Sequence, residues 1–326
     1  MSEASNIPRS SLFDIFKRGG QIRRVSSRVK PLLTEENKKA RIQFCLSLIK
    51  PNREFEDLYD HVHIDEKWFY LMEEKRSYYL MNDEGPPLRA CKSKRFITKV
   101  MFLAAVARPR YDPHRKQYFD GKIGLWPFVL KEPAKRNSKN RPKGTMITKP
   151  VESVNTAVVK KMLVENVLPA IRSKFPRSYK HAPIYIQQDN AGPHSYHYDE
   201  ELLMECSKEG WDIKIKSQPP NSPDFNVLDL GFFNSIQSLQ HHSSPKTIDE
   251  LIECVIGAFN SSDKEKLNNV FLTFQNCMES AMLVAGGNQY KMQRMGKEKL
   301  SREGRLSVTI TCSENSILKA NESLNT

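Results

Sequence analysis

The sequence predicts an α/β protein whose core is a mixed five-stranded sheet with helices packed against it. Three features carry that prediction. Strand-like runs at 61–71, 77–80 and 97–106 follow one another across short loops, as in an antiparallel meander. Residues 154–171 have helical spacing and lead to a β-branched run at 184–188, which reads as strand, helix, strand. Residues 211–216 alternate apolar and polar side chains and supply a fifth strand.

The chain has 326 residues, enough for a sizeable core and about two domains. Its 51 Lys and Arg outweigh 38 acids, a net charge of +13, so the expected partner is a polyanion, with nucleic acid first. The six cysteines, at 45, 91, 206, 254, 277 and 312, include no C-x-x-C pair. That argues against a zinc site and a disulfide scaffold, and fits a reducing compartment. The longest apolar run, 100–107, is far too short to span a bilayer, and the polar N-terminus shows no apolar signal region. The expectation is a nuclear protein with no membrane partner.

Residues 1–50 hold eleven Lys or Arg and four acids. Pro8 can open a helix over 9–18, with Leu12, Ile15 and Phe16 on its apolar face and Arg9, Ser10 and Lys17 exposed. Gly19 and Gly20 end it. A basic extended arm follows, with Arg23, Arg24, Arg28 and Lys30. A helix for the major groove and an arm for phosphates or a minor groove suit DNA. A helix-turn-helix needs a bracing helix before the recognition helix, so residues 1–30 read as the end of such a domain plus an arm. Residues 31–55 read as a linker helix, with Thr34 as N-cap and Glu35 and Glu36 in its first turn.

The main domain is expected over 56–285. Asp65 lies inside the first strand rather than at its edge. His61 and His63 have metal-like spacing, but no matching Cys or His stands nearby, which argues against zinc. Residues 108–150 read as an insertion rich in turn signals. Within it, 131–149 carries seven Lys or Arg and one acid, and Lys135, Arg136, Lys139 and Arg141 suit a mobile loop on phosphates.

The strand at 184–188 runs into Asp189, Asn190, Ala191, Gly192 and Pro193, which stop a strand and start a turn. Asp189 thus sits at the end of a core strand, either as a turn aspartate or as part of a site. After the strand at 211–216, Pro219, Pro220 and Pro223 fix an extended loop, and a helix opens near Asp229. Asp224 and Asp229 compete as a third acid. Thr247 with Glu250, and Ser262 with Glu265, read as capping boxes for two more helices. Residues 286–326 read as a basic, then polar tail, its last twenty poorly ordered.

Adjacent central strands could bring Asp65 and Asp189 side by side, with the later helix laying a third acid across them. Three carboxylates that close repel strongly and need cations. Oxygen-only donors select Mg2+ or Mn2+. Two such ions about 4 Å apart suit in-line phosphoryl transfer, and a basic chain makes the DNA phosphodiester the natural substrate.

The stretches His63-Ile64-Asp65-Glu66-Lys67-Trp68-Phe69, Gln187-Gln188-Asp189-Asn190-Ala191-Gly192-Pro193-His194 and Pro219-Pro220-Asn221-Ser222-Pro223-Asp224-Phe225-Asn226-Val227-Leu228-Asp229 resemble the three signature motifs of mariner-like transposases. The resemblance runs over about 7–306, and the spacing from Asp189 to Asp229 resembles the plant branch. It implies a ribonuclease H-like core and selects Asp229 over Asp224. It also implies Asp65, Asp189 and Asp229 as catalytic and metal-binding residues, with two Mg2+ or Mn2+ ions. Beside them, Glu66, Asn190 and His194 are candidates to support those acids or to contact DNA, or else they stabilise turns. Cut-and-paste transposition follows: cleavage at terminal inverted repeats of double-stranded DNA, then strand transfer into target DNA at TA. The family's loop after the first catalytic strand, here 81–96, implies a homodimer. Against the family pattern the N-terminus is short by about a hundred residues, so the rival expectation is a catalytically silent DNA-binding remnant.

Overall fold

The computed structural model describes residues 8, 10, 11, 30–71, 97–139, 141–176, 178, 182–194, 199–243, 245–293 and 295–325. The chain forms two compact units, Met1–Leu32 and Leu33–Thr326. In the first, Ser10 and Ser11 are helical and exposed, and Lys30 is exposed. Arg9, Lys17, Arg23, Arg24 and Arg28 fall outside the described residues, as do the strand expected at 77–80 and the loop at 81–96.

The second unit begins with α1 (Glu35–Leu46), capped by the Thr34 hydroxyl, which accepts from the Asn37 N–H. The strands are β1 (His61–Tyr70), β2 (Lys99–Ala107), β3 (Arg110–Asp112), β4 (Gln117–Phe119), β5 (Lys122–Pro127), β6 (Val129–Pro133) and β7 (Met146–Pro150). Next come α2 (Thr156–Met162), a π turn (Leu163–Val167) and α3 (Leu168–Lys174). Pro169 lacks the N–H that a regular α turn would use here, which fits the widened turn before it. Then follow β8 (Pro183–Gln188), α4 (Glu200–Ser207) and β9 (Asp212–Ser217). The chain closes with α5 (Phe233–His242), α6 (Ile248–Ser261), α7 (Lys264–Leu283), α8 (Lys297–Arg302) and α9 (Glu314–Asn325).

The five-stranded sheet has the order β5-β2-β1-β8-β9. β1, β2 and β5 are antiparallel neighbours, while β8 and β9 run parallel to β1. β1 is therefore central, with β2 on one side and β8 on the other. Along β2, Val100, Phe102, Ala104 and Val106 enter one core, and Leu103, Ala105 and Ala107 enter the other. Both faces of the sheet are buried, which is why this strand is a continuous apolar run. α2, α3 and α4 cover one face. The other lies under α1, α5, α6 and α7.

Four expectations are corrected. The sheet's third strand in chain order is β5, inside the segment read as an insertion, because Ile123 and Leu125 are buried against β2. The basic stretch 131–149 begins and ends in a two-stranded hairpin, β6 with β7, so its cations at 135–141 are carried on the connection between two paired strands. The cap of α7 is Asp263, one residue past Ser262. The C-terminal segment is an ordered helix, α9. Its Ala320 is fully buried, Ile317 and Leu324 pack on the same core, and the chain before it bridges to Glu54 through Thr311. Apolar residues at three- and seven-residue spacing, Ile317, Ala320 and Leu324, were masked there by the polar residues between them.

The helix read as a linker is also part of the core. Ile42, Phe44 and Cys45 of α1 are buried, and so is Arg41. The Arg41 guanidinium donates from Nη1 and Nη2 to the two carboxylate oxygens of Asp224, 2.7 Å each, and from Nε to the Gly286 carbonyl at 2.7 Å. Gly286 closes the end of α7 at φ +76°, and a Cβ there would lie 2.3 Å from the Lys38 carbonyl oxygen. Gly286→Ala should therefore push α1 from α7 and destabilise the fold by about 2 kcal/mol or more. A urea midpoint equal to wild type would refute this packing.

Candidate active site

β1 places Asp65 in the middle of the sheet, opposite Ala104 of β2, whose small side chain leaves room beside it. Successive residues of a strand face opposite sides. Asp65 meets the loop before α5, while Glu66 meets the turn after β8. One Asp65 oxygen, Oδ2, accepts from the Asn226 side-chain amide at 2.7 Å, and Oδ1 accepts from the Glu66 N–H at 2.8 Å. Burial, then the charges of Asp229 and Glu66, push the Asp65 pKa well above the usual carboxylate range.

Asp189 follows β8 directly. Its Oδ1 accepts from the Ala191 N–H at 2.9 Å, which makes the turn that ends the strand. His194, in the short 3-10 turn Gly192–His194, reaches back with Nδ1 to Asp189 Oδ1 at 2.6 Å and with Nε2 to Glu66 Oε1 at 3.1 Å. An imidazole can donate to two carboxylates at once only when both nitrogens carry protons. Burial alone would lower the His194 pKa, but its bonds to Asp189 and Glu66 raise it to about 10. Burial would raise Asp189, yet the His194 bond holds it below its ordinary value. Asn190, expected to support the site, is exposed, and its amide donates to the Gln218 carbonyl at 2.5 Å, tying the β8 turn to the end of β9.

Asp229 lies in a π turn, Leu228–Phe232, at the entry to α5. Gly231 there has φ +154°, and the turn widens around it. Burial and the charge of Asp189 raise the Asp229 pKa, although 36% of its side chain is exposed, and Lys67 Nζ at 3.8 Å opposes the rise. Asp224, the competitor for this role, is bound by Arg41 and Tyr290 instead. Burial pushes it up, but the Arg41 hydrogen bonds and charge hold it below the ordinary value.

The structure thus brings Asp65, Asp189 and Asp229 within electrostatic reach of one another, with Glu66 and His194 beside them. It adds two groups that the sequence pattern did not single out. Lys67 lies two residues after Asp65, hence on the same face, and period-two spacing could have found it. Asn226 sits inside the third motif-like stretch, but nothing local shows that its amide faces β1.

The donors are all oxygens and their charges are only partly compensated: Asp65, Glu66, Asp189 and Asp229 against His194 and Lys67. Such a set fits Mg2+ or Mn2+ in chemistry. Among the described residues, no three His, Cys, Asp or Glu side chains are grouped as a ready ligand cage. Asp65 is turned to Asn226, Asp189 to His194 and Asp229 toward Lys67.

Of the remaining candidates, Lys135, Arg136, Lys139 and Arg141 are exposed around the tip of the β6–β7 hairpin. The hairpin is stiffened by the Lys143 N–H on the Asn137 side chain and by Ala134 paired with Thr145 and Gly144. No helix among the described residues is long and apolar enough to cross a membrane.

No protein-family model and no curated protein matches the sequence. Solved structures do. A Mos1 mariner paired-end complex with Mn aligns at a TM-score of 0.58 and 18% identity, over 89% of this chain and 74% of that one. The Mos1 strand transfer complex aligns at 0.58 and 18%, over 88% and 73%. The catalytic domain of Mos1 mariner transposase aligns at 0.51 and 16%, over 82% of this chain and all of that one. The fold is therefore the ribonuclease H-like α/β fold of that catalytic domain.

The His194 geometry has a measurable pH signature. With a folded pKa near 10 against an ordinary 6.5, the contribution of His194 to stability is complete below pH 6.5 and is lost as pH rises through about 10. NMR of the imidazole nitrogens should show the doubly protonated ring throughout neutral pH. A titration centred near 6.5 would mean that the double contact does not form.

Proposed function

We propose that this chain is a mariner-like transposase that cleaves DNA at transposon ends and transfers the freed strand to a target. The observation that carries the reading is that Asp65, Asp189 and Asp229, from three separate sequence motifs, come within electrostatic reach of one another beside the central strands. The likeness in fold to the Mos1 complexes supports it. Those structures are of a mariner transposase in paired-end and strand-transfer complexes, solved with Mn or with Mg.

In the first step a water oxygen forms a bond to the scissile phosphorus as the bond to the 3′ oxygen breaks. The 3′ oxygen leaves as a hydroxyl, and the phosphate stays on the 5′ end. In the second, that 3′-hydroxyl attacks a target phosphodiester, at TA on the family reading, and displaces another 3′ oxygen. The two divalent ions, held by Asp65, Asp189 and Asp229, would supply charge neutralisation at the attacking and leaving oxygens. The protein's own groups prepare that site. His194 holds Asp189 and Glu66 in fixed orientations, Asn226 orients Asp65, and Lys67 limits the repulsion at Asp229.

The substrate is double-stranded DNA: the terminal inverted repeats first, then target DNA. Arg9, Ser10, Lys17, Arg23, Arg24, Arg28 and Lys30 are assigned to the recognition helix and arm. Lys135, Arg136, Lys139 and Arg141 are assigned to a second phosphate-binding surface, at the hairpin tip. A homodimer joined through 81–96 and a nuclear location complete the proposal.

Two measurements test it. Supercoiled plasmid should be nicked with Mg2+ or Mn2+, and Asp189→Ala should remove the activity while leaving DNA retardation intact. Well-folded wild type that retards DNA but never nicks it would favour a silent DNA-binding remnant. Replacing the four hairpin cations by Gln should flatten the salt dependence of binding, by about 0.9 in log–log slope for each phosphate that is no longer neutralised. An unchanged slope takes the hairpin out of the interface.

A further inference from the structure

The third motif contains an acid, Asp224, that the site does not use. It is engaged as tightly as any carboxylate among the described residues. Both its oxygens are taken by the fork of Arg41, and Oδ2 also accepts from the Tyr290 hydroxyl at 2.5 Å. The Arg41 guanidinium is fully buried and also stacks 4.1 Å from the Phe225 ring centroid. A buried ion pair is a poor way to gain stability, because desolvation offsets much of the attraction. What a bidentate fork does supply is orientation: two parallel bonds fix both the position and the tilt of the carboxylate.

The segment so fixed is joined to Asp65, to the turn of Asp229 and to the strand that leads to Asp189. Asp224 lies in the 3-10 turn Pro223–Phe225. The next carbonyl, that of Phe225, accepts from the Gln187 side chain at 3.1 Å, two residues before Asp189 on β8. The following residue, Asn226, donates its amide to Asp65. Asn226 Oδ1 accepts from the Leu228 N–H at 2.9 Å and its carbonyl accepts from the Leu230 N–H at 3.0 Å, so it brackets Asp229 on both sides. Two consecutive residues, Phe225 and Asn226, thus touch the strand before Asp189, the side chain of Asp65 and the turn of Asp229.

We propose that Arg41 is a positioning residue of the active site: by gripping Asp224 it fixes the loop that orients Asp65 and presents Asp229. This rests on the reading of the three aspartates as the catalytic set. Arg41 itself reaches the chemistry only through Asp224 and Asn226. Its place on α1, some twenty residues before β1, makes that helix part of the site's scaffold.

The test compares wild type with Arg41→Lys, which keeps the charge but loses the fork, and with the double variant Arg41→Met/Asp224→Leu. The double variant leaves no unpaired charge in the core, so it should stay folded, with a melting temperature lowered only by the loss of partners at the Gly286 carbonyl and the Tyr290 hydroxyl. The first readout is amide hydrogen exchange without metal. The Leu228, Leu230 and Glu66 amides should exchange about tenfold faster, the loss expected for one hydrogen bond to a charged group, while β2 amides stay unchanged. The second is Mn2+ binding by calorimetry together with plasmid nicking. Mn2+ affinity should fall, and nicking should drop on the order of 100-fold at unchanged DNA affinity.

No local rise in exchange, or a uniform rise across the sheet, would overturn the inference and leave Arg41 a purely structural residue. So would wild-type nicking and Mn2+ affinity in the double variant. A local exchange effect in a protein whose wild type neither binds Mn2+ nor nicks DNA would support the positioning and count against the function proposed above.

Discussion

Asp65 is a carboxylate in the central strand of a sheet covered on both faces, and most of what surrounds it answers the cost of that placement. An uncompensated charge there would cost several kcal/mol. Its pKa is raised by burial and by Asp229 and Glu66, so the site stands short of positive charge. The sheet tolerates this because Ala104 stands opposite on β2 and because Asn226 and the Glu66 N–H each satisfy one oxygen. Neither donor brings a charge, so Asp65 keeps its capacity for a cation. Asp189 is treated differently: His194 neutralises it locally and links it to Glu66 on the neighbouring strand. The two strand-borne acids are thus held by different means, one by neutral dipoles and one by an imidazolium.

The third acid depends on structure far from it in sequence. Asp229 sits in a π turn whose backbone departs from helical geometry at Gly231. What defines the turn is the Pro223–Phe225 segment before it, and that is held from outside by α1 and by the chain after α7. The buried fork of Arg41, the carbonyl of Gly286 and the hydroxyl of Tyr290 meet around the Asp224 carboxylate. The same region receives α9, whose buried Ala320 lies in the core that also holds Ile42 and Cys45 of α1. A segment that reads as a linker and one that reads as a tail thus pack into the same core.

Charge is sorted by location. Asp65, Glu66, Asp189 and Asp229 gather beside the central strands, while the hairpin beyond β5 carries cations on an exposed, cross-linked tip. The hairpin is anchored at its base, where the Thr148 hydroxyl donates to Asp249 at the start of α6. A fixed tip loses less entropy on meeting a phosphate backbone than a mobile loop would, so its ordering is an advantage for the proposed contact.

The sequence by itself determined the strand that carries Asp65, the strand that leads to Asp189, and the mixed sheet. The strands and the sheet follow from local signals: a period-two apolar run broken by a charge, a strand stopped by Asn-Ala-Gly-Pro, and a proline-fixed loop leading to a helix. The choice of Asp229 over Asp224 came from the motif resemblance. Only the tertiary structure decided what holds those acids. Asn226 reaching Asp65, His194 bridging Asp189 and Glu66, and Arg41 on Asp224 join residues from separate elements, and no local pattern encodes such a meeting. The same reason explains the misread elements. The edge strand β5 and the helix α9 look like loop and tail because each has only a narrow apolar face. Each becomes regular structure because the rest of the fold offers that face a partner, β2 in one case and the core shared by α1 and α7 in the other.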